Sequence, residues 1–264
     1  MKEPSAGLAR LTGWRVVVTG AGSGIGKATA MLFAREGASV AALDLNYESA
    51  QATAKETSGY AVQVDVSNED SNAAAIEKAA QAMGGIDGVV NAAGIMIVGP
   101  LGEVPVSSWR RTLDVNLTGT YLTVRNCLPW LNQAPDGATI VNIASAAGLL
   151  PNAPGLTAYA AYKGSVVNLG RAVAAELASL IRVNTVCPGM VNTPMADGFR
   201  ANVGNYALKR LAEPEEIADV ILFLSSLQSS YVTGATLAAD GGRSFHESPQ
   251  LNTSANDSAA RARL

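Results

Sequence analysis

Short runs of β-branched residues alternate with longer alanine-rich stretches along this chain, and this alternation limits the possible folds more than any other feature. The runs are hydrophobic throughout rather than at every second position, as expected of strands buried on both faces. Seven such runs occur, at Arg15–Thr19, Ser39–Leu43, Ala61–Val64, Gly88–Val90, Ala138–Ile143, Arg182–Val186 and Ala235–Leu237. Their spacing leaves room for the crossover connections that parallel strands need.

The stretches between these runs have the length and composition of helices. They include Gly26–Glu36, Ser71–Met83, Ser107–Leu131, Tyr159–Leu180 and Pro214–Ser226. Regular alternation of strands and helices is typical of α/β proteins, in which helices cover both faces of a parallel sheet. We therefore predict a Rossmann-like, doubly wound sheet of about seven parallel strands with helices on both faces.

The length of 264 residues, 48% of them hydrophobic, suffices for one large domain. We predict this domain over residues 14–242, after an N-terminal extension at 1–13. From Arg243 the sequence is charged and rich in Ser, Asn and Ala, which is typical of a mobile C-terminal tail, here 243–264. Ordering of this tail against a neighbouring subunit is the alternative.

Charge and composition argue against several classes of function. The net charge of −3 gives no basis for binding nucleic acid or an anionic membrane. No apolar segment reaches the roughly 18 residues of a transmembrane helix. One histidine, His246, and two distant cysteines, Cys127 and Cys187, supply neither metal ligands nor a Ser-His-Asp triad. Unpaired cysteines and the lack of a signal-like N-terminus predict a cytoplasmic protein.

A glycine-rich loop, Thr19-Gly20-Ala21-Gly22-Ser23-Gly24-Ile25-Gly26, joins the first predicted strand to the first helix. Glycines there allow a tight turn and let the backbone approach a pyrophosphate, which then lies at the helix N-terminus. The spacing departs from the usual G-x-G-x-x-G, so the position between a strand and a helix carries the prediction. We predict that the loop binds a dinucleotide through Gly20, Ser23, Gly24, Ile25 and Gly26.

Asp44 ends the second predicted strand, eighteen residues after Gly26. A carboxylate at about this distance accepts hydrogen bonds from the adenosine ribose and repels a 2′-phosphate. Neither Ser23 nor Leu45 adds a compensating positive charge, and Lys27 and Arg35 are expected on the helix surface. Asp44 therefore favours NAD over NADP as the cofactor; a simple turn residue is the alternative.

Tyr159 and Lys163 lie four residues apart in a predicted helix and so share one face. An ammonium beside a phenol lowers its pKa, which predicts that Tyr159 accepts a proton near neutral pH. Ser145, fourteen residues before Tyr159, is predicted to hold the oxygen of an alcohol or carbonyl substrate. The alternative for Ser145 is a helix cap.

In their order, these motifs resemble those of the classical short-chain dehydrogenase/reductase family from about Trp14 to Gly242. The matching segments are Thr19–Gly26, Asp65-Val66, Asn91-Ala92-Ala93-Gly94, Asn116, Ser145, Tyr159-x3-Lys163 and Pro188-Gly189-Met190-Val191-x-Thr193. The chain departs from the family at Ala92, where the family often has a second Asn, and at Tyr162, where it often has Ser. We assign catalysis to Tyr159 and packing to Tyr162.

The resemblance implies roles for cofactor-binding residues that the loop alone does not give. Asp65 and Val66 are expected to hold the adenine. Lys163 is expected to bind the nicotinamide ribose. The remaining expected cofactor contacts are Asn91, Ala92 and Gly94 beside the adenine ribose, and Pro188, Val191 and Thr193 at the nicotinamide.

The resemblance also implies an activity and an assembly. The expected reaction is NAD-dependent interconversion of a secondary alcohol and its ketone, with Tyr159 as the proton acceptor or donor. Asn116 is expected to hold a water of a proton relay, although a buried amide that satisfies backbone groups is the alternative. The family usually forms dimers or tetramers through the helices at 107–131 and 159–180, so a homo-oligomer such as a homotetramer is expected.

Three loops at the carboxyl ends of the strands, 95–101, 146–157 and 190–206, are predicted to form the substrate pocket around Ser145 and Tyr159. A mobile lid is predicted near 190–210, and packing within this lid is the alternative role of the apolar residues. Arg200 is the only cation expected near the pocket, which predicts an uncharged, hydrophobic substrate. The apolar residues expected there are Met96, Ile97, Leu149, Leu150, Met190, Met195 and Phe199.

Two other functions share this fold. An NADP-dependent oxoacyl or ketone reductase is one, and Asp44 argues against it. A catalytically silent NAD-binding relative is the other, and it has no need for the set Asn116, Ser145, Tyr159 and Lys163. A methyltransferase has a similar glycine loop but no use for Tyr159-x3-Lys163.

Overall fold

The computed structural model describes residues 9–150, 154–197 and 203–245. All seven predicted strands occur within these ranges, and all pair in parallel. The strands are β1 Arg15–Thr19, β2 Ser39–Asp44, β3 Tyr60–Gln63, β4 Gly88–Asn91, β5 Ala138–Ile143, β6 Ile181–Pro188 and β7 Thr236–Ala239. The predicted doubly wound sheet is confirmed.

The strand order in the sheet is β3-β2-β1-β4-β5-β6-β7. The chain therefore changes direction between β1 and β4, where Val17 of β1 pairs with Ala41 on one side and with Val89 on the other. In sheets of this kind, a crevice opens at the carboxyl ends of the strands at this change of direction. The topology thus indicates where a ligand site lies.

Seven α-helices connect the strands in the described ranges. They are α1 Gly24–Arg35, α2 Tyr47–Thr57, α3 Glu69–Met83, α4 Val106–Leu113, α5 Gly119–Leu131, α6 Thr157–Leu177 and α7 Pro214–Ser225. The predicted segments did not include α2, whose buried residues are the small Ala50, Thr53 and Ala54. Such residues give only a weak apolar pattern. The Asn46 side chain caps this helix by accepting from the Ser49 N–H at 3.1 Å.

The predicted single helix at 107–131 is interrupted by a π-helical turn, Asp114–Thr118, between α4 and α5. A π turn admits one extra residue, and such turns often occur at functional sites. Here the turn contains Asn116, which is 1% exposed. At its end Gly119 packs against Val66, because a Cβ at position 119 would lie 2.8 Å from the valine Cγ2.

Successive strand residues point to opposite faces of the sheet, so the molecule has a hydrophobic core on each side. On one side Val16 and Val18 of β1 pack with Phe33 of α1 and Ile221 of α7. On the other side the core comprises strand residues and residues of α3, α5 and α6, including Val17, Val89, Ile140, Ile76, Val124 and Ala174. The two layers of helices thus cover both faces of the sheet.

At the amino end, Leu11 is fully buried in a core and Arg10 pairs with Glu36 at 2.8 Å, although both lie in the predicted extension. The division of the chain at residues 13 and 242 stays a prediction, and these contacts favour wider limits. Residues 1–8, His246 and the rest of the predicted tail lie outside the described residues. None of the helices in the described ranges combines the length and apolar character needed to cross a membrane.

Candidate active site

Two adjoining cavities lie at the carboxyl edge of the sheet, beside the neighbouring strands β1 and β4, between which the strand order changes direction. The first, of about 310 Å³, contains the glycine loop and is called here the loop cavity. The second, of about 340 Å³, contains Ser145 and Tyr159 and is called the tyrosine cavity. Their shared lining residues are Ile25, Ala92, Gly94, Thr193 and Met195. The two cavities thus form one elongated cleft.

The first turn of α1 lines the loop cavity through Gly24, Ile25 and Gly26. Ser23 precedes the helix in an extended conformation, and its side chain does not cap the helix. The N–H groups of a first helical turn carry partial positive charge, so an uncapped helix N-terminus attracts an anion. This end of the cleft therefore suits a phosphate-bearing ligand.

The loop passes very close to the chain that follows β4. Gly20 has a φ of +65°, and a Cβ there would lie 2.8 Å from the Ala93 backbone. The Thr19 hydroxyl accepts hydrogen bonds from the N–H groups of Ala92 and Ala93, both at 3.2 Å. Glycine is therefore required at position 20 both by its backbone conformation and by the lack of space.

Asp44 lies half-buried at the end of β2 and lines the loop cavity. Its Oδ2 accepts from the Gly22 N–H and its Oδ1 from the Asn46 N–H, both at 2.9 Å. These two bonds fix the carboxylate at the rim of the cavity. Lys27 lies on the surface, as expected, and pairs with Glu56 at 2.9 Å.

Arg111 of α4, for which the sequence predicted no role, also lines the loop cavity. It brings a positive charge to the cavity that holds the Asp44 carboxylate. The local sequence does not indicate this location of Arg111, because the path of α4 past the cleft depends on packing between distant parts of the chain.

Most of the predicted cofactor residues line the cleft. Gly20, Ser23, Asp44, Asp65 and Val66 lie in the loop cavity, and Pro188, Val191, Tyr159 and Lys163 lie in the tyrosine cavity. Asn91 differs, because it is 4% exposed, lines neither cavity and donates to the Asn142 Oδ1 at 2.9 Å. It joins β4 to β5 from behind the cleft.

The end of β5 and the first turns of α6 bring Ser145, Tyr159 and Lys163 into the tyrosine cavity. Ser145 caps the short 3₁₀ turn Ala146–Gly148 by accepting from the Ala147 N–H at 3.2 Å, so the alternative of a cap applies, and its contact with a substrate oxygen stays a prediction. The Lys163 Nζ lies 6.0 Å from the centre of the Tyr159 ring and donates to the Ile143 carbonyl at 2.7 Å.

The protonation of this group differs from the expectation. Burial raises the pKa of Tyr159, and the nearby Ser145 hydroxyl and the Arg243 charge only partly oppose that rise. Burial also lowers the pKa of Lys163 to about 8. The expected net lowering of the Tyr159 pKa is therefore not found in the protein alone, because the cost of burying the phenolate exceeds the opposing effects of Ser145 and Arg243.

The amide of Asn116 is held entirely by the backbone. Its Oδ1 accepts from the Ile95 N–H at 3.1 Å, and its Nδ2 donates to the carbonyls of Ile95 at 3.0 Å and Thr112 at 2.8 Å. Gly94 passes directly beside the amide, because a Cβ there would lie 2.6 Å from Oδ1. The alternative of a structural amide thus applies to this side chain, and its part in a proton relay stays a prediction.

Tyr162 is 2% exposed and its ring stands at 82° to that of Tyr159, with 5.3 Å between the centroids. Its hydroxyl donates to the same Ile95 carbonyl at 3.1 Å. Tyr162 therefore packs and does not line the cavity, in agreement with the role assigned to it. Asn116 and Tyr162 together fix the loop that leads from Gly94 to Met96.

The walls of the tyrosine cavity differ in part from those predicted. Met96, Met190 and Met195 line it, whereas Leu149 and Leu150 do not and are 36% and 41% exposed. The reason is the 3₁₀ turn at Ala146, whose carbonyl accepts from both leucine N–H groups and curls the chain outward. Ile97 is also absent from the lining, and the apolar wall includes Val98, Leu156 and Tyr206. Phe199, Arg200 and the centre of the predicted lid lie outside the described residues.

Arg243 lines the tyrosine cavity, although it lies in the predicted tail. The expectation of a cavity with no cation other than Arg200 is therefore wrong, and it had been the basis for predicting an uncharged substrate. A signal was available, because Arg243 lies four residues after the end of β7, near the carboxyl edge of the sheet, where ligand sites of such folds lie. Among the described residues there is no group of His, Cys, Asp and Glu side chains that could hold a metal ion.

Comparison with known proteins places the chain among oxidoreductases. Residues 20–244 match a family model described as enoyl-(acyl carrier protein) reductase. The chain is 41% identical to the 3-oxoacyl-acyl-carrier-protein reductase of Thermotoga maritima over 88% of its own length and 98% of that protein. It is 43% identical to the cis-4-hydroxycyclohexanecarboxylate dehydrogenase of Sinomonas cyclohexanicum, over 86% of this chain and 94% of the relative.

Among solved structures, the fold is similar to that of a 3-ketoacyl-(acyl-carrier-protein) reductase from Brucella melitensis complexed with NADH. The TM-score is 0.85 at 34% sequence identity, and the match covers 89% of this chain and 99% of the other.

Gly20→Ala should destabilise the protein more than Gly13→Ala. Both glycines have positive φ, +65° and +79°, but only Gly20 faces a neighbouring backbone, and nothing lies within 4 Å of a Cβ at position 13. Both variants carry the strain of alanine at positive φ. Gly20→Ala should lower the free energy of unfolding by about 1–3 kcal/mol more, because its Cβ must displace the Ala93 backbone. Urea unfolding at one fixed protein concentration measures the difference. Equal losses would show that the Ala93 segment yields freely.

Lys163 should make stability depend on pH in the alkaline range. Its pKa is about 8 in the folded protein against 10.5 as its ordinary value, so between these values the unfolded chain binds more protons. The contribution of Lys163 to the free energy of unfolding therefore rises from pH 8 to 10.5. The check is the difference in the free energy of unfolding between the wild type and Lys163→Met across this pH range. The contributions of groups that titrate alike in both proteins cancel in this difference. A flat difference would contradict the assignment.

Proposed function

The chain belongs to the short-chain dehydrogenase/reductase family of oxidoreductases, and we propose that it interconverts a hydrophobic secondary alcohol and its ketone with NAD as the hydride carrier. The observation that carries the proposal is the placement of Ser145, Tyr159 and Lys163 in one cavity that joins the loop cavity. A hydroxyl that holds the substrate oxygen, a proton donor and a buried cation thus meet at the end of a cleft suited to a dinucleotide.

The residues of the cleft fit such a cofactor. The uncapped first turn of α1 suits the pyrophosphate, and the Asp44 carboxylate at the rim suits the adenosine ribose. Asp65 and Val66 line the loop cavity, and we assign them to the adenine; Pro188, Val191 and Thr193 line the tyrosine cavity, and we assign them to the nicotinamide. These residues would hold a group whose chemistry would be to take up a hydride from an alcohol carbon or to return it to a ketone.

The chain itself supplies orientation and proton transfer. Ser145 holds the substrate oxygen by a hydrogen bond, and Tyr159 moves a proton between its own hydroxyl and that oxygen. Because burial raises the Tyr159 pKa, the tyrosine is protonated at neutral pH and is ready to act as the acid for ketone reduction. The Lys163 charge favours the phenolate that remains after the proton has left.

A homo-oligomer is part of this proposal. The outer faces of α4 and α5 expose large apolar side chains, with Val106 63%, Trp109 40% and Tyr121 49% exposed. Such a patch is suited to contact with a second copy of the chain.

An NADP-dependent oxoacyl or ketone reductase is a second candidate, and Arg111 is the observation that favours it. A guanidinium in the loop cavity suits a 2′-phosphate, and the relative from Thermotoga maritima is an oxoacyl reductase. We favour NAD because the Asp44 carboxylate is fixed at the rim by two backbone N–H groups, whereas Arg111 is an exposed side chain. A catalytically silent relative would bind NADH and turn over no alcohol.

Tyr159→Phe should reduce turnover by roughly 10²–10⁴-fold, the usual loss when a general acid or base is removed. The measurement follows reduced nicotinamide during oxidation of a panel of secondary alcohols that includes cyclohexanol and 4-hydroxycyclohexanecarboxylate. Tyr162→Phe is the matched control, because it removes a hydroxyl that bonds only to the Ile95 carbonyl. Its loss should be far smaller. A Tyr159→Phe protein that kept most of the activity would overturn the assignment.

Asp44 should determine the choice between the two cofactors. Wild type is expected to bind NADH more tightly than NADPH in calorimetric titrations. Asp44→Asn keeps an acceptor for the backbone but loses the charge, so NADH binding should weaken by about 10–100-fold while NADPH binding improves. Lys27→Gln, which changes a charge on the helix surface, is the control. Tighter binding of NADPH by wild type, abolished in Arg111→Gln, would establish the second candidate instead.

A further inference from the structure

A third cavity adjoins the tyrosine cavity between the start of α7 and the end of β7, and it is called here the α7 cavity. Its volume is about 400 Å³. The residues that line both the α7 cavity and the tyrosine cavity are Gly189, Met190 and Tyr206. None of the described residues in the wall of the α7 cavity is among those assigned to the cofactor, so under the proposed function the cofactor takes up none of this volume.

Most of the wall of the α7 cavity is apolar. Two of its charged side chains, Arg210 and Glu216, pair with each other at 2.6 Å. A third, the Asp240 carboxylate, accepts from the N–H groups of Gly242 at 3.0 Å and Ser244 at 2.8 Å. Because these charges already have partners, the space suits an aliphatic group. The apolar residues that line it are Ala207, Leu208, Leu211, Ala212, Ile217, Ala238, Ala239 and Phe245.

The ring of Tyr206 separates the two cavities. Of the other two shared residues, Gly189 has no side chain and Met190 carries a flexible thioether. Tyr206 is 4% exposed, and its ring occupies space that two glycines leave free. A Cβ at position 189 would lie 2.8 Å from the Tyr206 Cε1, and a Cβ at position 241 would lie 3.4 Å from its Cδ1. The ring thus packs against both glycines.

Hydrogen bonds hold Tyr206 in this position. Its hydroxyl accepts from the Met190 N–H at 3.0 Å, and its own N–H donates to the Val203 carbonyl at 3.1 Å. The following residues are held as well, because the Leu208 N–H donates to the Gly241 carbonyl at 3.1 Å. A buried tyrosine that moves away loses such bonds at a cost in free energy, so the ring is a fixed partition between the cavities.

We propose that Tyr206 is a specificity-determining residue whose ring limits the length of the alkyl group that the substrate carries beside its carbinol carbon. The inference rests on the proposed function, since it concerns the substrate of the tyrosine cavity. A smaller side chain at position 206 joins the two cavities, and a longer alkyl group then extends into the apolar α7 cavity. Each methylene group buried in this way strengthens binding by about 4-fold.

Tyr206 also has a structural role, because its hydroxyl bonds to the Met190 N–H. The two roles reside in different parts of the side chain. Tyr206→Phe loses the hydrogen bond and keeps the ring, whereas Tyr206→Ala loses both. A ratio of kcat/KM between a long and a short alcohol cancels a general loss of activity, so this ratio reports the partition.

The kinetic experiment compares octan-2-ol with butan-2-ol as substrates of the full chain with NAD. The ratio of their kcat/KM values, long over short, should be at least about 10-fold higher in Tyr206→Ala than in wild type, because the longer chain gains an apolar surface. Tyr206→Leu, which leaves a smaller opening, should raise the ratio less and serves if the alanine variant does not fold. Tyr206→Phe should keep the ratio of wild type. An unchanged ratio in the smaller variants, or an equal rise in Tyr206→Phe, would overturn the inference.

Ala238→Phe is the matched control. Ala238 is exposed on β7 and lines the α7 cavity but not the tyrosine cavity. This variant alone should leave the ratio of wild type unchanged. Combined with Tyr206→Ala, its ring fills part of the α7 cavity and should remove most of the gain. A gain that survives in the double variant would place the longer chain elsewhere and contradict the inference.

A binding measurement separates this inference from the proposed function. Butanamide and octanamide offer a carbonyl oxygen to Ser145 but are not substrates for hydride transfer to or from a carbinol carbon. Both are titrated calorimetrically into the protein alone and into the protein saturated with NADH. A preference for octanamide that rises at least about 10-fold from wild type to Tyr206→Ala, and not in Tyr206→Phe, supports the partition even if no alcohol is turned over. An equal preference in wild type and Tyr206→Ala would refute the partition, and turnover of butan-2-ol would then still support the proposed function.

Discussion

The close approach of the glycine loop to the chain after β4 is the constraint on which the rest of the cleft depends. Thr19 accepts from the N–H groups of Ala92 and Ala93, and Gly20 leaves no space for a Cβ beside Ala93. This contact holds together the two strands between which the sheet changes direction. Ala92 and Gly94 then belong to both cavities, so the position of the cofactor end is fixed relative to the tyrosine end.

A second set of contacts positions the helix of the reacting groups relative to the loop after β4. The Ile95 backbone is held by the Asn116 amide and by the Tyr162 hydroxyl, one from a π turn and the other from α6. Tyr162 lies between this loop and the Tyr159 ring, against which it packs edge to face. The residue that departs from the usual family pattern thus connects the loop after β4 to the helix that carries Tyr159 and Lys163.

The sequence was sufficient to predict the features that depend on local pattern. The buried strands are continuous apolar runs, and the glycine loop and Tyr159-x3-Lys163 depend on short spacings. Features that depend on the three-dimensional path of the chain could not be predicted from local sequence patterns. Leu149 and Leu150 turn outward because of one 3₁₀ turn, and Arg111 reaches the cleft only through tertiary packing. The π turn at Asn116 likewise lies beside a tertiary contact, the close approach of Gly119 to Val66.

The direction of the Tyr159 pKa shift could not be predicted from the sequence for the same reason. Spacing on a helix gives the attraction between an ammonium and a phenolate, but burial is a property of the whole fold and acts on both groups. Here it raises the pKa of Tyr159 and lowers that of Lys163 to about 8, so each group is driven toward its neutral form. The remaining charges that line the cleft include those of Asp44, Arg111 and Arg243. Under the proposed function, the diphosphate at α1 joins them as a major determinant of the electrostatics of the cleft.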